Sequence, residues 1–498
     1  MGYAATHSAT LIGLSGQLLN VEADTTPGSP GLEIVGFPEG SAAWTRARVR
    51  AAVINSGLAW PDQQITISVL PGSVPKYVAM LDLAIAVALV AADGQIPEGG
   101  PAEVLFIGEL GLDGRIRPVR GVLPAVGAAA GAGITTVVVP DGNAAEAAQA
   151  PGVTVIPATT LAHVVAWLRD GSLRGHAYHQ QSRPTSMQPP ALDMADVAGN
   201  ETARRALEVC AAGGHHLFLL GDGPATMLAE RLPGILPSLN ADAAREVAEI
   251  YSLAGGLDSQ PATVPPLYAP HHTITMAAML GGGNGPVLVR PGAISLAHHG
   301  VLYMDEAPEF SGQILDELRR PLETGQVILA RGNRLITLPA RFMLVMSARS
   351  CPCPSAERCQ CPPLRRRRYL HRLTGLLDRV EVRARLQPAP RLRTSGESSA
   401  TVAARVREAR ERTAARLAGT PWTTNSQVPA LELHTTYRAQ STAIDVLRSA
   451  LNSGMLTAAS FTRVLRVAWT LADLRGADRP ARKDATTALE LWTAGAHC

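Results

Sequence analysis

The sequence predicts an α/β protein with more than one domain, followed by a helical C-terminal region. Its 498 residues are too many for one ordinary domain and suggest about two to four. An apolar strand at 217–220 leads through a glycine-rich turn into a helix, which is the order found in nucleotide-binding α/β units. In the last hundred residues, apolar side chains recur with helical spacing. We therefore expect sheet-based domains first and a helical domain last.

Composition shifts divide the chain into four predicted parts. Residues 1–170 read as one α/β domain, 171–192 as a polar linker rich in Pro, Ser and Gln, 193–385 as a second α/β domain and 386–498 as a helical one. In the first part we predict strands at 32–36, 64–70, 104–109 and 135–140, helices at 42–55 and 81–92, and a turn at 111–114. In the last part we predict helices at 400–416, 442–452, 457–475 and 483–492.

The bulk composition excludes several classes of protein. The net charge is only +3, so no global basic field marks a nucleic-acid binder, and any basic surface must be local. The chain has no apolar run of about 18 residues and no signal-peptide pattern, so we expect a soluble cytoplasmic protein with no membrane partner. Four of the six cysteines are clustered, which fits a reducing compartment better than a disulfide scaffold.

Two adjacent carboxylates, Asp305 and Glu306, end an apolar strand predicted at 300–305. In a Walker B site the first carboxylate holds Mg²⁺ and the second polarises the attacking water. The alternative is a strand that simply ends in a solvated acidic pair. The strand–turn–helix unit about 80 residues upstream favours the functional interpretation. We then expect the strands that end before Gly221 and Asp305 to be neighbours in one sheet.

The turn after the strand at 217–220 carries the candidate phosphate-binding residues, which are Gly221, Asp222, Gly223, Pro224, Ala225 and Thr226. A working loop reads G-x-x-x-x-G-K-[ST], and its N–H groups and lysine hold the phosphates. This turn is two residues shorter and has no lysine, and Asp222 adds a negative charge where phosphate would lie. Taken alone, it reads as an ordinary turn between a strand and a helix.

A second candidate site is a short loop with four cysteines: Cys351, Cys353, Cys359 and Cys361. Two closely spaced pairs can supply four thiolates to a tetrahedral Zn²⁺. The single residue between the members of each pair is fewer than the usual two to four, so four reduced thiols remain the alternative.

A basic stretch follows the cysteines, formed by Arg365 to Arg368 together with Arg372 and Arg379. It is suited to contact phosphate, either of DNA or of a neighbouring subunit's nucleotide, and a solvated basic face is the equal alternative. For the pairs His271–His272 and His298–His299 we predict a structural role, because no carboxylate is spaced to complete a metal site.

Segments across nearly the whole chain resemble the magnesium-chelatase-like branch of the AAA+ ATPases, of the YifB/ComM type. The matching segments are LDMADVAGNETARRALEVCAAGGHHLFLLG (192–221), APHHT (269–273), GGG (281–283), RPGAISLAH (290–298), GVLYMDEAPEF (300–310), the cysteine loop, RRYLHRLTGLLDR (367–379), RVLRVAWTLADL (463–474), GFPEGSAAWTRARVRAAVINSG (36–57) and GELGLDGRIRPVRGVLPAV (108–126).

The resemblance implies a fold for each part of the chain. Residues 1–170 should adopt the fold of the Lon peptidase domain, 193–385 the AAA+ nucleotide-binding fold, and 386–498 the helical lid. The Ser–Lys dyad of the peptidase is missing, since 76–88 contains no serine and Leu123 stands where the lysine is expected. We therefore expect no peptidase activity.

The resemblance also implies a function. The family binds ATP between subunits of a ring, usually a hexamer, with Mg²⁺ held here by Thr226 and Asp305. Glu306 would be the catalytic carboxylate, and Arg372 or Arg379 the arginine acting on a neighbour's nucleotide. ComM-type members move DNA branches during natural transformation, so DNA is the expected partner. A motor subunit of a porphyrin metallochelatase is the weaker alternative.

Four departures from the family lie at nucleotide-handling positions. The phosphate loop lacks its lysine, Arg349 with Ser350 replaces a sensor asparagine, and Ala459 replaces a sensor arginine. A proline is also lost from the segment that ends in Arg379. We therefore expect ATP hydrolysis to be weakened or lost, and the alternative is a non-hydrolysing subunit that serves in binding or assembly.

Overall fold

The computed structural model describes residues 2–37, 39–97, 101–170, 178, 192–256, 263–283, 289–331, 334–353, 359–388 and 396–494. Almost all of the predicted linker at 171–192 lies outside the described residues. No helix within these ranges combines the length and the hydropathy that a membrane span requires.

The first part of the chain is built around a seven-stranded mixed sheet. Its elements are β1 (Gly2–Ile12), β2 (Ser15–Thr26), β3 (Gly31–Val35), α1 (Glu39–Asn55), β4 (Gln64–Leu70), α2 (Asp82–Ala92), β5 (Val104–Phe106), β6 (Glu109–Leu110), β7 (Ile116–Arg117), α3 (Val122–Gly131), β8 (Thr136–Pro140), α4 (Ala144–Ala147), β9 (Thr154–Ala158) and α5 (Leu161–Asp170). The strand order is β3-β4-β2-β1-β5-β8-β9. Helix α2 packs on β1 and β2 and is buried on nearly every side, which explains its continuous apolar sequence.

The β1–β2 hairpin escaped the sequence analysis because its inner face carries small polar residues. Thr6, Ser8 and Thr10 are fully buried and alternate along β1. Each hydroxyl donates to a buried carbonyl: Thr6 to Ala84 at 3.1 Å, for example, and Ser8 to Phe106 at 2.9 Å. Short polar side chains can line a core when such acceptors are available, but their pattern in the sequence does not look apolar.

The predicted strand at 104–109 is wrong in its extent, because the chain changes direction after Phe106. Gly108 passes so close to Ile116 that a Cβ atom would lie 2.5 Å from its side chain. Beyond this point β6 pairs with β7 in a separate small hairpin. The turn predicted at 111–114 joins those two strands and is confirmed.

The second part contains a five-stranded, entirely parallel sheet. Its elements are α6 (Glu201–Gly213), β10 (Leu217–Leu220), α7 (Ala225–Arg231), α8 (Ala241–Ala254), β11 (Leu267–Tyr268), α9 (Met276–Leu280), β12 (Gly281–Gly282), β13 (Arg290–Pro291), α10 (Ala293–Leu296), β14 (Val301–Met304), α11 (Gly312–Glu317), α12 (Arg319–Thr324), β15 (Gln326–Arg331), β16 (Arg334–Pro339), β17 (Met343–Ala348), α13 (Pro363–His371), α14 (Thr374–Leu377) and β18 (Val382–Arg385). The strand order in the parallel sheet is β11-β14-β17-β10-β18. Strands β10, β14 and β17 are buried on both faces, as parallel strands usually are.

The expected adjacency of the strands that precede Gly221 and Asp305 is wrong. Strand β17 lies between them and pairs with both β10 and β14. The two loops still emerge at the same edge, because all three strands run parallel. The carboxyl end of β17 therefore projects between the two predicted half-sites.

The last part of the chain is helical and shares a hydrophobic core with the parallel sheet. Its helices are α15 (Ser399–Arg416), α16 (Ala430–Thr435), α17 (Ser441–Asn452), α18 (Ala458–Arg475) and α19 (Arg482–Thr493). Four of these agree with the predicted helices to within a residue or two. Helices α15 and α18 pack on α6, and one apolar cluster joins all three to β10 and β17.

The first and second parts of the chain are in direct contact. Leu11 and Val122 from the first part share an apolar cluster with Leu253 and Leu338 from the second. The N–H of Gly121 also donates to the carbonyl of residue 252 across this contact, at 3.1 Å. The boundaries between domains remain a prediction.

Candidate functional site

Asp305 lies at the point where the ends of β10, β14 and β17 converge. Its Oδ1 atom accepts hydrogen bonds from the Tyr303 hydroxyl at 2.8 Å, the Ser347 hydroxyl at 2.5 Å and the Glu306 N–H at 3.1 Å. Its Oδ2 atom accepts from the Thr226 hydroxyl at 3.3 Å. The structure thus brings together Thr226 and Asp305, the two residues predicted to hold Mg²⁺.

This pair of oxygen ligands fits Mg²⁺, which prefers carboxylate and hydroxyl oxygens and keeps several water ligands. Both side chains are solvent-accessible at the edge of the sheet, so a hydrated ion can reach them. Burial raises the pKa of Tyr303, so its hydroxyl stays protonated as a donor to Asp305. The magnesium half of the predicted site is therefore chemically intact.

Glu306, the candidate catalytic carboxylate, forms an ion pair with Arg349. Its backbone has a positive φ of 48°, and its N–H donates to the Ser347 hydroxyl at 3.1 Å. Arg349 follows β17, at the position where the family resemblance implies a sensor asparagine. A carboxylate held by a guanidinium has fewer oxygen lone pairs free to orient a water molecule. The replacement at 349 therefore acts directly on the residue expected to polarise water.

The phosphate turn is packed tightly against the chain that follows β18. Gly221 has a φ of 130°, and a Cβ atom there would lie 2.7 Å from the carbonyl oxygen of Leu386. At Gly223 a Cβ atom would lie 2.8 Å from the carbonyl oxygen of Gln387. Asn200 holds this segment in place, accepting from the Gln387 N–H at 2.8 Å and donating to its carbonyl at 3.0 Å.

Two N–H groups of this turn are already bonded within the fold. The N–H of Gly221 donates to β17 and that of Ala225 donates to Gly223. Pro224 has no N–H, which leaves those of Asp222, Gly223 and Thr226 without a partner among the described residues. A working loop wraps phosphate with a longer run of N–H groups and a lysine. The residues present therefore fit Mg²⁺ but do not fit a triphosphate of the usual kind.

Both arginines predicted to act on a neighbour's nucleotide have partners within their own chain. Arg372 is exposed and donates to the carbonyl of Phe310 at 2.8 Å. Arg379 donates to the carbonyl of Gly375 at 2.9 Å and forms an ion pair with Glu323. Only Arg372 presents an exposed guanidinium, so it is the better candidate for a contact between subunits, and this role remains a prediction.

The four arginines from Arg365 to Arg368 lie on α13, and all four side chains are exposed. Among the described residues, none of them forms an ion pair with a carboxylate. One short helix therefore carries a cluster of positive charge that can bind a phosphate backbone.

The cysteine loop forms a compact cluster. The sulfur atoms of Cys351, Cys353, Cys359 and Cys361 all lie within 4.8 Å of one another. Cys351 is buried and the other three are half-buried. The residues 354–358 between the two pairs lie outside the described part of the chain.

A second cluster is formed by Glu246, His298 and His299, whose possible ligand atoms also lie within 4.8 Å of one another. It is better explained as structural. The Nδ1 atom of His298 accepts from the Arg341 N–H at 2.9 Å, so the ring proton lies on Nε2 and is donated to Glu246 at 2.8 Å. Burial lowers the pKa of His298 to about 4, so the ring stays neutral. With its second nitrogen protonated, His298 offers no lone pair to a metal, in agreement with the predicted structural role.

A cleft of about 990 Å³ that the sequence did not predict lies between the first and second parts of the chain. One wall includes Trp44, Lys76 and Arg120, and the other includes Tyr268 and Arg290. The amine of Lys76 is turned inward, to the carbonyl of residue 71 at 2.9 Å. No local signal predicts such a cleft, because its two walls are far apart in the sequence.

Comparison with known families yields three matches that together span most of the chain. The family described as magnesium chelatase, subunit ChlI, matches residues 193–393. The family described as subunit ChlI of Mg-chelatase matches residues 21–143, and the ChlI C-terminal family matches residues 396–491.

Relatives of similar length are found in several bacteria. An uncharacterized protein of Mycobacterium tuberculosis is 43% identical over 507 aligned positions, covering 100% of both chains. YifB of Escherichia coli is 37% identical, covering 96% of this chain and 94% of YifB. The competence protein ComM of Haemophilus influenzae is 35% identical with the same coverage.

A shorter similarity concerns a protease. The Lon protease of Mycolicibacterium smegmatis is 33% identical over 167 residues, which is 31% of this chain and 21% of the protease. Together with the two sheets and the helical end of the chain, these matches confirm the predicted fold class: Lon-like and AAA+ α/β parts with a C-terminal helical region.

Proposed function

This chain belongs to the magnesium-chelatase-like AAA+ family of the YifB/ComM type, and we propose that it acts on DNA as a ring-forming subunit in which ATP hydrolysis has been lost. ATP binding is weakened in this proposal, and the protein works in the cytoplasm. The observation that carries it is the ion pair between Arg349 and Glu306, beside a phosphate turn without lysine.

The two defects act on different requirements of hydrolysis. The turn at 221–226 lacks the lysine and two residues of a working loop, which weakens nucleotide binding. The Arg349–Glu306 ion pair occupies the carboxylate that would orient the attacking water. When bound, Mg²⁺ would neutralise phosphate charge between Thr226 and Asp305. These two residues would hold the ion, while Glu306 is engaged by Arg349.

The DNA partner is supported by two observations. ComM, a relative along nearly the whole chain, is named a competence protein. Helix α13 presents four exposed arginines without carboxylate partners among the described residues, although the net charge of the chain is only +3. Local positive charge of this kind releases counterions from a phosphate backbone and gives salt-dependent binding. A ring would place one such helix per subunit around the strand.

The test combines nucleotide and DNA measurements on the full chain. Labelled ATP is titrated, and phosphate release is measured with and without single-stranded DNA, alongside a Glu306→Gln variant as the background. We expect binding to DNA that weakens with salt, and phosphate release equal to that of Glu306→Gln. Turnover stimulated by DNA and abolished by Glu306→Gln would refute the loss of hydrolysis. Particle mass in solution, measured by light scattering, tests the ring.

A further inference from the structure

We propose that Cys351, Cys353, Cys359 and Cys361 form a structural Zn²⁺ site that fixes the start of the basic helix α13. The first two cysteines follow β17 and the last two directly precede α13. Their four sulfur atoms lie within 4.8 Å of one another. A metal at their centre would connect the end of the central strand to the beginning of the helix.

The dimensions of the cluster suit tetrahedral zinc. Zn–S bonds of about 2.3 Å place the four sulfur atoms of such a site roughly 3.8 Å apart. Sulfur atoms already within 4.8 Å need only small rotations of their side chains to reach this distance. The single residue between Cys351 and Cys353, and between Cys359 and Cys361, therefore does not prevent all four thiols from converging.

The ligand chemistry favours zinc over the ions that prefer oxygen. The cluster contains four thiols and no carboxylate or imidazole among the described residues. Soft thiolates select Zn²⁺, whereas Mg²⁺ and Ca²⁺ take oxygen ligands. Four protein ligands also complete the tetrahedron and leave no open position for water, so the site is structural rather than catalytic.

The surroundings complement the charge of such a site. Zn²⁺ with four thiolates carries a net charge of about −2, which a nearby cation stabilises. The Nη1 atom of Arg365 lies 3.7 Å from the sulfur of Cys361. Arg365 is the third residue of α13, and the remaining arginines of the helix stay exposed.

Zinc would thereby position the exposed arginines. Helix α13 has nine residues, too few to be stable alone in water. Pro362 and Pro363 shape its entry, and Tyr369 and Leu370 bury its far end. Its arginine-bearing first half lacks comparable apolar anchoring, so a metal at Cys361 would supply the missing constraint. The effect on DNA rests on the proposed function, whereas the zinc site itself does not.

Metal content gives the first test. The full chain is purified under reducing, chelator-free conditions and its zinc is measured, beside a Cys351→Ser, Cys361→Ser double variant and a Cys498→Ser control. We expect about one zinc per chain in the native and control proteins, and at least a tenfold lower content in the double variant. Native protein with four reactive thiols and no zinc would overturn the proposal.

A second readout does not depend on the folding of a variant. Native protein stripped of zinc and loaded with Co²⁺ should show the intense thiolate charge-transfer absorption of a tetrahedral sulfur site. Absence of that absorption, with all four thiols reduced, would contradict the predicted ligand set.

DNA binding tests the effect on α13. Loss of zinc should weaken single-stranded DNA binding and flatten its salt dependence as much as replacing Arg366, Arg367 and Arg368 by glutamine does. If zinc is present but its removal leaves DNA binding unchanged, the link to α13 is overturned. If no form of the protein binds DNA, the proposed function fails, and the zinc content still decides whether the site exists.

Discussion

Rebuilding the phosphate turn separates the two defects of the nucleotide site. An eight-residue loop of pattern G-x-x-x-x-G-K-T replaces the six residues Gly221 to Thr226, supplying the missing length and lysine. A lysine beside the β- and γ-phosphates adds a charge-assisted contact worth roughly 1.5–3 kcal/mol. ATP affinity should therefore rise about tenfold to hundredfold.

Hydrolysis should recover less than binding in this variant. Arg349 still pairs with Glu306, and Ala459 still stands where the family has a sensor arginine. Adding Arg349→Asn removes the ion pair at little cost in stability, because partly exposed pairs contribute about 0–1 kcal/mol. Glu306 is then released to act as a base, an effect on the order of 10²-fold in rate. The combined variant should hydrolyse ATP faster than either change alone.

Four proteins are compared in the assay: the native chain, the rebuilt loop, Arg349→Asn and the combination. A rebuilt loop with alanine in place of its lysine is the matched control for length. Affinity is measured with a fluorescent ATP analogue and turnover by phosphate release. If the rebuilt loop binds no better than its alanine control, the segment at 386–387 has closed the pocket and the electrostatic reasoning fails. Full turnover with Arg349 in place would refute the role given to that residue.

Three further predictions concern stability. Arg48 forms a bidentate ion pair with Asp82, which is fully buried. Arg48→Met should therefore lower the free energy of unfolding in urea by about 3–5 kcal/mol. The control Arg50→Met removes a contact with an aromatic ring and should lower it by under about 1 kcal/mol. Burial raises the pKa of Asp82 to about 6 despite Arg48, so the folded chain binds this proton more readily than the unfolded chain. Unfolding free energy should therefore fall by roughly 2 kcal/mol as pH rises from about 4 to 6, and a slope unchanged in Asp82→Asn would contradict this. Asp305→Ala removes the acceptor shared by the Tyr303 and Ser347 hydroxyls and should lower the free energy of unfolding by about 1–3 kcal/mol. Glu306→Ala should lower it by under about 1 kcal/mol. Equal losses of stability in thermal unfolding would exclude a structural role for Asp305.

The sequence predicted best those elements whose signals are local. Strand β10, helix α7 and the four long C-terminal helices have strong apolar periodicity and glycine or capping residues at their ends. The β1–β2 hairpin was missed because its buried face uses Thr and Ser, whose burial depends on carbonyl acceptors from distant segments. Hydrogen bonding between remote parts of the chain has no signature in a single stretch of sequence.

The candidate site shows the same division. Tyr303 could have been identified, because residues two apart on a strand share a face and Tyr303 precedes Asp305 by two. Ser347 and Arg349 could not be assigned partners, since their contacts with Asp305 and Glu306 depend on β17 lying between β10 and β14. Strand order is a property of the whole sheet, and the local sequence of β17 does not encode it.

The missing loop lysine and the arginine at position 349 both affect the balance of charge around the predicted nucleotide site. Without the loop lysine, three acidic residues, Asp222, Asp305 and Glu306, would face the same edge of the sheet without a cation. Arg349 supplies a positive charge, but it pairs with Glu306 rather than with phosphate. Asp305 is meanwhile stabilised by hydrogen bonds from neutral hydroxyls, which a structural carboxylate needs in the absence of nucleotide. In the proposed state without hydrolysis, Asp305 and Glu306 already have partners of their own, so the fold does not need ATP to stabilise them.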